Sequence, residues 1–108
     1  MDLNAPTTLE TVLVHLETIP RNTGLFLIER KPWELTTVAA VVDFEEYPDA
    51  VDESPAHLAN EGLVYCLLVS TVKSILRNAR MQRPHLSQED AVKAIDHYHE
   101  NDAYIQFG

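Results

Sequence analysis

Five histidines and one cysteine are the side chains of this sequence best suited to metal binding or nucleophilic chemistry. Only one stretch gathers them densely: His97-Tyr98-His99-Glu100, with Asp102 just beyond. On a helix, residues two apart point about 200° away from each other, so His97 and His99 cannot grip one ion there. The run reads as the solvated end of a helix, and no metal is expected. His15 and His57 stand alone in the chain. Cys66 lies in the apolar run Val64-Tyr65-Cys66-Leu67-Leu68, which suggests a buried thiol in a core strand. No local sequence pairs it with a catalytic histidine. The only glycines are Gly24, Gly62 and Gly108, too few and too scattered for a phosphate loop or a dinucleotide fingerprint. No serine sits in a nucleophile-elbow sequence. The expectation is a protein that is not an enzyme and needs no cofactor.

Charge is the less ordinary feature. The formal net charge is −9, and no Lys or Arg occurs between Lys31 and Lys73. That interval carries Glu34, Asp43, Glu45, Glu46, Asp49, Asp52, Glu53 and Glu61. Around Tyr47, the carboxylates of Asp43, Glu45, Glu46, Asp49, Asp52 and Glu53 form a candidate partner-binding segment. They would supply complementary charge and steered association, while the aromatic ring supplies contact area. The plain alternative is a solvated loop that keeps the protein soluble. Lys73, Arg77 and Arg80 are spaced four and three apart, so they share one helix face. Such a stripe could hold phosphate, or it is the polar side of an amphipathic helix. The strong negative balance argues against nucleic acid and anionic membrane and for a partner with a basic surface.

These residues need elements to position them. Thr7 and Glu10 have capping-box spacing, and Leu9, Val12, Leu13 and Leu16 recur at helical intervals, bounded by Pro20. Asn22-Thr23-Gly24 turns into a short strand, Leu25 to Ile28, which Lys31-Pro32 interrupts. A second strand is expected from Leu35 to Phe44, close enough to form a hairpin with the first. Glu45 to Ser54 reads as a loop. Ser54-Pro55 then opens a short helix over Ala56 to Glu61 that Gly62 stops. The apolar run Leu63 to Val69 predicts a strand buried on both faces and hence central. Ser70 is expected to cap a helix with Val72, Ile75, Leu76 and Ala79 inside, ended by Arg83-Pro84. Ser87 and Asp90 open a third long helix burying Ala91, Val92 and Ile95, and Ala103 to Phe107 is expected as a last strand. The order α-β-β-(α)-β-α-α-β predicts an α+β fold: a small mixed sheet of four strands with about three packed helices.

A length of 108 residues, 45% hydrophobic and 23% charged, suits a single globular domain over 1–108. A chain of that length buries roughly two-thirds of its unfolded surface without staples. A lone cysteine forms no internal disulfide, and Met1-Asp2-Leu3-Asn4-Ala5-Pro6 lacks the basic and apolar stretches of a signal peptide. A cytoplasmic location is therefore expected.

In size, acidity and lack of catalytic motifs, the chain resembles the immunity proteins of bacterial toxin-immunity systems, including those of contact-dependent growth inhibition. The resemblance implies a small cytosolic domain that binds and neutralises a cognate toxin, often a nuclease with a basic active site. Asn60-Glu61-Gly62-Leu63-Val64-Tyr65 through Ile75-Leu76-Arg77-Asn78-Ala79, with the ending Glu100-Asn101-Asp102-Ala103-Tyr104-Ile105, also looks like an uncharacterised family of small bacterial domains. The expected function is a non-catalytic, protein-binding inhibitor of immunity type that uses its acidic surface. The alternative is an adaptor or regulatory domain, one form of it a homodimer whose acidic segment meets the basic helix of its mate.

Overall fold

Two short strands rich in branched apolar residues, Thr23–Ile28 (β2) and Val38–Asp43 (β3), form an antiparallel pair in which Leu25 faces Val41 and Phe26 faces Ala40. Successive residues of a strand point to opposite faces. Here both sets are apolar, so both faces of the pair must be covered. Leu25, Leu27, Ala39 and Val41 enter one core; Phe26, Ala40 and Val42 enter a second, smaller one on the other face. The computed structural model describes residues 1–108. Its sheet has four strands in the order β1-β3-β2-β4, with β1 at Thr7–Thr8 and β4 at Leu63–Leu68. Every pairing is antiparallel, so the α+β class holds and the mixed sheet does not.

The larger core is roofed by helices. Leu9–Val14 (α1) places Leu9, Val12 and Leu13 inside and continues, through His15, into a 3-10 turn at Leu16–Thr18. Its N-cap is Thr8, whose hydroxyl accepts from the Thr11 amide at 3.2 Å, one residue later than the capping box predicts. Val69–Gln82 (α3) and Gln88–Asn101 (α4) lie side by side. Ala79 of α3 and Ala91 and Ala94 of α4 are all at most 2% exposed and share the larger core. Ser87 caps α4 as expected, accepting from the Asp90 amide at 3.1 Å. Ser70 caps nothing: α3 starts at Val69, straight off the strand, with Leu68 at its N-cap and no side-chain bond.

Three expectations about β-structure fail for identifiable reasons. The run ending in Val69 is not a central strand. β4 lies at the sheet edge, pairs only with β2, and leaves Val64, Tyr65, Cys66 and Leu67 half-buried. A continuous apolar run reports that both faces are covered, as they are here, and not that both edges are paired. Between Leu25 and Phe26 the register shifts, so Cys66 is an extra residue in β4. This bulge lets Cys66 and Leu67 both pack against the helical core. Ala103 to Phe107 forms no strand. The tail is held instead by one side chain: Gln82 Nε2 donates to the Ile105 carbonyl (2.8 Å) and Gln82 Oε1 accepts from the Phe107 amide (3.0 Å). Ile105 and Phe107 lie against the larger core, and the Arg83 guanidinium sits 4.3 Å over the Phe107 ring. The missing strand is made up by β1, too short to carry a periodicity, so the true order is β-α-β-β-α-β-α-α.

The loop between β2 and β3 carries a cis Lys31-Pro32 bond and a buried Trp33, whose indole N–H donates to the Ile28 carbonyl at 3.0 Å. Lys31 reaches Asp96 and Glu100 of α4, each at 2.5 Å, and lies over the Trp33 ring. Burial works against the Lys31 charge, but the two carboxylates outweigh it and raise its pKa above the ordinary 10.5. The hairpin loop is thus tied to the helical layer. No helix of the protein is long and apolar enough to cross a membrane.

Ile75 is 1% exposed beneath α3, whereas Arg77 on the outer face is exposed and makes no ion pair. Ile75→Ala should cost about 2–5 kcal/mol, and Arg77→Ala less than about 0.5 kcal/mol. Leu67→Ala, at a half-buried edge position, should fall between them. Urea melts of the three variants check this, and equal losses at Ile75 and Arg77 would reverse the assigned orientation of α3.

Candidate functional site

The second face of the central hairpin is covered by the acidic segment itself. Phe44, Tyr47, Ala50 and Leu58 pack on Phe26, Ala40, Val42 and Leu63, so the segment is a lid rather than a free loop. Between these apolar positions the chain makes consecutive tight turns: the Glu46 and Tyr47 amides donate to the Asp43 carbonyl, Ala50 to Tyr47, and Asp52 and Glu53 to Asp49. Ala56–Ala59 (α2) follows, with Pro55 rather than Ser54 at its N-cap and Gly62, at φ 78°, turning the chain into β4. Gly24 makes the fit possible. A Cβ there would stand 2.5 Å from the Phe44 ring and 3.2 Å from that of Tyr65.

One residue that no sequence pattern marked ties this lid to the sheet. Asn4 adopts left-handed backbone angles (φ 66°), which asparagine tolerates better than most residues. Its amide donates to the Val41 carbonyl at 2.7 Å, and its side-chain oxygen accepts from the Asp43 amide at 2.8 Å. Its side-chain nitrogen donates to Glu46 Oε2 at 2.8 Å, and its carbonyl accepts from His57 Nε2 at 2.6 Å. The Asn4-Ala5-Pro6 sequence, an asparagine two before a proline, is the one hint of a special turn.

The predicted partner-binding residues are brought together on this lid. Glu45, Glu46, Asp49, Asp52 and Glu53 are exposed, while Asp43 and Tyr47 are half-buried. Tyr47 lies against His57, ring centres 5.9 Å apart, so part of its surface serves the lid. Glu46, Asp49 and Glu53, with Tyr47, Pro48 and Pro55 among the other walls, frame a shallow cavity of about 270 Å³. None of these carboxylates, nor Asp43, Glu45, Asp52 or Glu61, has a Lys, Arg or His nitrogen within 4.0 Å. The protein's ion pairs are all elsewhere.

The basic stripe lies across the molecule, because α3 covers the opposite face of the sheet. Lys73, Arg77, Arg80, Met81 and Glu17 line a cleft of about 340 Å³. Much of its charge is engaged: Lys73 donates to the Ile19 carbonyl at 2.9 Å, closing the 3-10 turn, and Arg80 stands 4.0 Å from Glu17. A larger groove of about 530 Å³ runs between the Pro32–Thr36 loop and α4.

The histidines are dispersed. His99 lies on Trp33 (4.9 Å between rings), His97 meets Asn101, His15 bonds the Thr11 carbonyl, and His57 bonds Asn4. No three His, Cys, Asp or Glu side chains are grouped to hold a metal ion. Cys66 is half-buried and its thiol lies 3.5 Å from the Val64 carbonyl. Burial pushes this thiol up from 9.0 to about 11; a backbone bond from Leu27 and the Lys31 charge pull the other way, and Glu29 adds slightly. A group that protonated at neutral pH is a poor nucleophile.

The fold is a small α+β structure in which an acidic lid covers one face of the sheet and helices cover the other. The chain matches, over residues 6–107, a domain of unknown function (DUF7716), and it belongs to that family. No curated protein and no solved structure matches it.

Two outcomes follow from this geometry. Asn4→Ala should cost about 1–3 kcal/mol and speed amide exchange across residues 43–58. Asn4→Gly, which keeps the left-handed backbone but not the amide, should lose most of that too if the side-chain bonds carry the effect. For Cys66, the folded pKa lies above the unfolded value, so the folded state holds the proton longer. Its stabilising contribution is complete below about pH 9 and is lost as pH rises towards about 11. Tyr65, raised above its ordinary 10.0 by burial and then by the Cys66 charge, extends the loss in the same direction. Stability measured across this range should fall, less so in Cys66→Ala, and the rate of thiol alkylation should keep climbing past pH 9.

Proposed function

We propose that this protein is a non-catalytic, cytoplasmic inhibitor of immunity type, which binds a basic surface of a cognate toxin with its acidic lid. The observation that carries this reading is the cavity framed by Glu46, Asp49 and Glu53 beside Tyr47, on a lid without a single internal cation. A Lys or Arg side chain of a partner fits that chemistry: carboxylates around the head group and an aromatic wall along the stem. Because the lid is packed on the sheet and tied down by Asn4, its charges are held in place before the partner arrives, and little ordering entropy is lost on binding. A nuclease, which must itself attract phosphate, would present such a basic surface.

The adaptor reading, in its homodimeric form, fits less well. The acidic lid and the basic stripe lie on opposite faces of the sheet. Joining one to the other between copies is a head-to-tail contact, which leads to rings or open chains rather than a two-fold pair.

Replacing Asp49 and Asp52 with Asn and Glu53 with Gln together should slow association with the toxin by about tenfold or more at low salt, because steering scales with complementary charge. Thermal stability should change by less than about 1 kcal/mol, since exposed charges contribute little to it. Stopped-flow mixing with the purified toxin domain at two salt concentrations reads the first effect, and co-expression protection assays read its consequence. An unchanged rate would remove the lid from the interface.

A further inference from the structure

The two edges of the sheet are finished very differently. Beyond β3, the N-terminal segment closes the edge. The Asn4 amide donates to Val41, the Leu9 amide to Thr37 and the Glu10 amide to Leu35, and β1 is two residues long with Pro6 before it. Short edge strands and prolines of this kind blunt further pairing. At the other edge, β4 runs for six residues, Leu-Val-Tyr-Cys-Leu-Leu, with no proline, no lysine and no charge. It bonds β2 on one side only, and alternate residues of an edge strand direct N–H and C=O groups outward. No other strand of the sheet pairs with β4, and no turn or loop amide or carbonyl bonds to Leu63–Leu68. The bulge at Cys66 twists the strand locally, but Leu68 remains 40% exposed and four residues before it are half-buried.

What surrounds β4 selects its occupant. On the second face, Tyr65 packs edge-on against Phe44, ring centres 6.1 Å apart, so the acidic lid adjoins the strand. Glu61 stands exposed just ahead of Gly62, and the Glu29 carboxylate is near enough to Cys66 to act on its thiol. Of the two cations at that end, Lys31 is already held by Asp96 and Glu100, while Arg30, exposed beside Glu29, offsets one carboxylate and leaves Glu61 and the lid in excess. Pairing β4 with β4 of a second copy would bring two chains of charge −9 together at their acidic borders. A strand that carries positive charge meets the opposite situation.

We infer that the open edge of β4 accepts an extended, basic segment of a partner protein as a fifth, added strand. Main-chain hydrogen bonds supply affinity, and the carboxylates of the lid and of Glu61 select lysine or arginine side chains. This rests on the proposed acidic recognition and adds the main-chain contact to it.

The test uses the full-length, isotope-labelled protein and a synthetic peptide of about eight residues alternating lysine and valine, long enough to cover one strand. The peptide should shift the amide signals of Leu63–Leu68 and protect the outward-facing amides of β4 from exchange. Its fully N-methylated form keeps the charges but cannot donate, and should bind at least about tenfold more weakly, the loss expected for two or so hydrogen bonds. A peptide alternating glutamate and valine should not bind. Equal binding of the methylated peptide overturns strand addition and leaves the acidic-lid reading standing. Equal binding of the acidic peptide overturns charge selection in both. No binding of the basic peptide, or protection of the β4 amides that grows with protein concentration in its absence, overturns the inference, the latter in favour of a second copy.

Discussion

The constraint on which the rest depends is that the central hairpin is apolar on both faces. Leu25, Leu27, Ala39 and Val41 point one way and Phe26, Ala40 and Val42 the other, and none tolerates water on its side of the sheet. The larger core is met by α1, α3 and α4. The smaller has no long helix to cover it, only the segment from Phe44 to Leu58. That stretch solves the problem by alternating roles along its length. Phe44, Tyr47, Ala50 and Leu58 turn inward, and the carboxylates between them, Glu45, Glu46, Asp49, Asp52 and Glu53, turn out. The surface that carries the proposed function is thus the outer side of a packing requirement.

Much of this was legible in the residues. Helical spacing placed Leu9, Val12, Leu13 and Leu16 and the inner faces of α3 and α4 correctly, because a period of 3.6 is a strong signal over three or four turns. The strands around Phe26 and Val41 were found from their composition, and Gly62 marked a helix end because a positive φ was needed there. What failed was information that is not periodic. β1 is too short to have a pattern, and the tail from Ala103 is apolar enough for a strand but finds Gln82 instead of a neighbour. The place of β4 in the sheet depends on which edges meet, and side-chain hydrophobicity says nothing of edges. Among the site residues, the exposed carboxylates were read as such, whereas the inward use of Phe44 and Tyr47 was not. The role of Asn4 has no sequence signal beyond its place two residues before a proline, since its four bonds join positions about forty and fifty residues away.

Charge is sorted by the same sheet. On the helical side several cations find partners within the molecule: Lys31 with Asp96 and Glu100, Arg83 with Asp90, Arg80 with Glu17, and Lys73 with a carbonyl, while Arg77 makes no ion pair. On the lid side no cation occurs among Asp43, Glu45, Glu46, Asp49, Asp52, Glu53 and Glu61. Their mutual repulsion is moderated because most are exposed to water, where unit charges about 4 Å apart interact by only about 1 kcal/mol. Added salt screens it over about 8 Å at physiological strength. The lid therefore tolerates its charge without needing internal compensation, and the tight turns and the Asn4 bonds hold it against the remaining repulsion.

This division separates the proposed binding surface from the packing that folds the chain. A cation placed among the lid carboxylates would relieve repulsion and lower the field a partner feels, so stability and recognition pull in opposite directions at that face. At the buried side of the same segment they do not conflict, because Ala50 and Leu58 contribute to packing whatever the surface charge. The open β4 edge lies where the two meet: its side chains belong to the cores, its outward main-chain groups belong to neither, and the Phe44–Tyr65 contact joins it to the charged lid. A partner that engaged only the charges would be steered but loosely held, since exposed ion pairs contribute little once formed. One that engaged only the edge would be held with little selectivity, since every chain has a backbone. Specific, lasting binding needs both, and on this protein the two are adjacent.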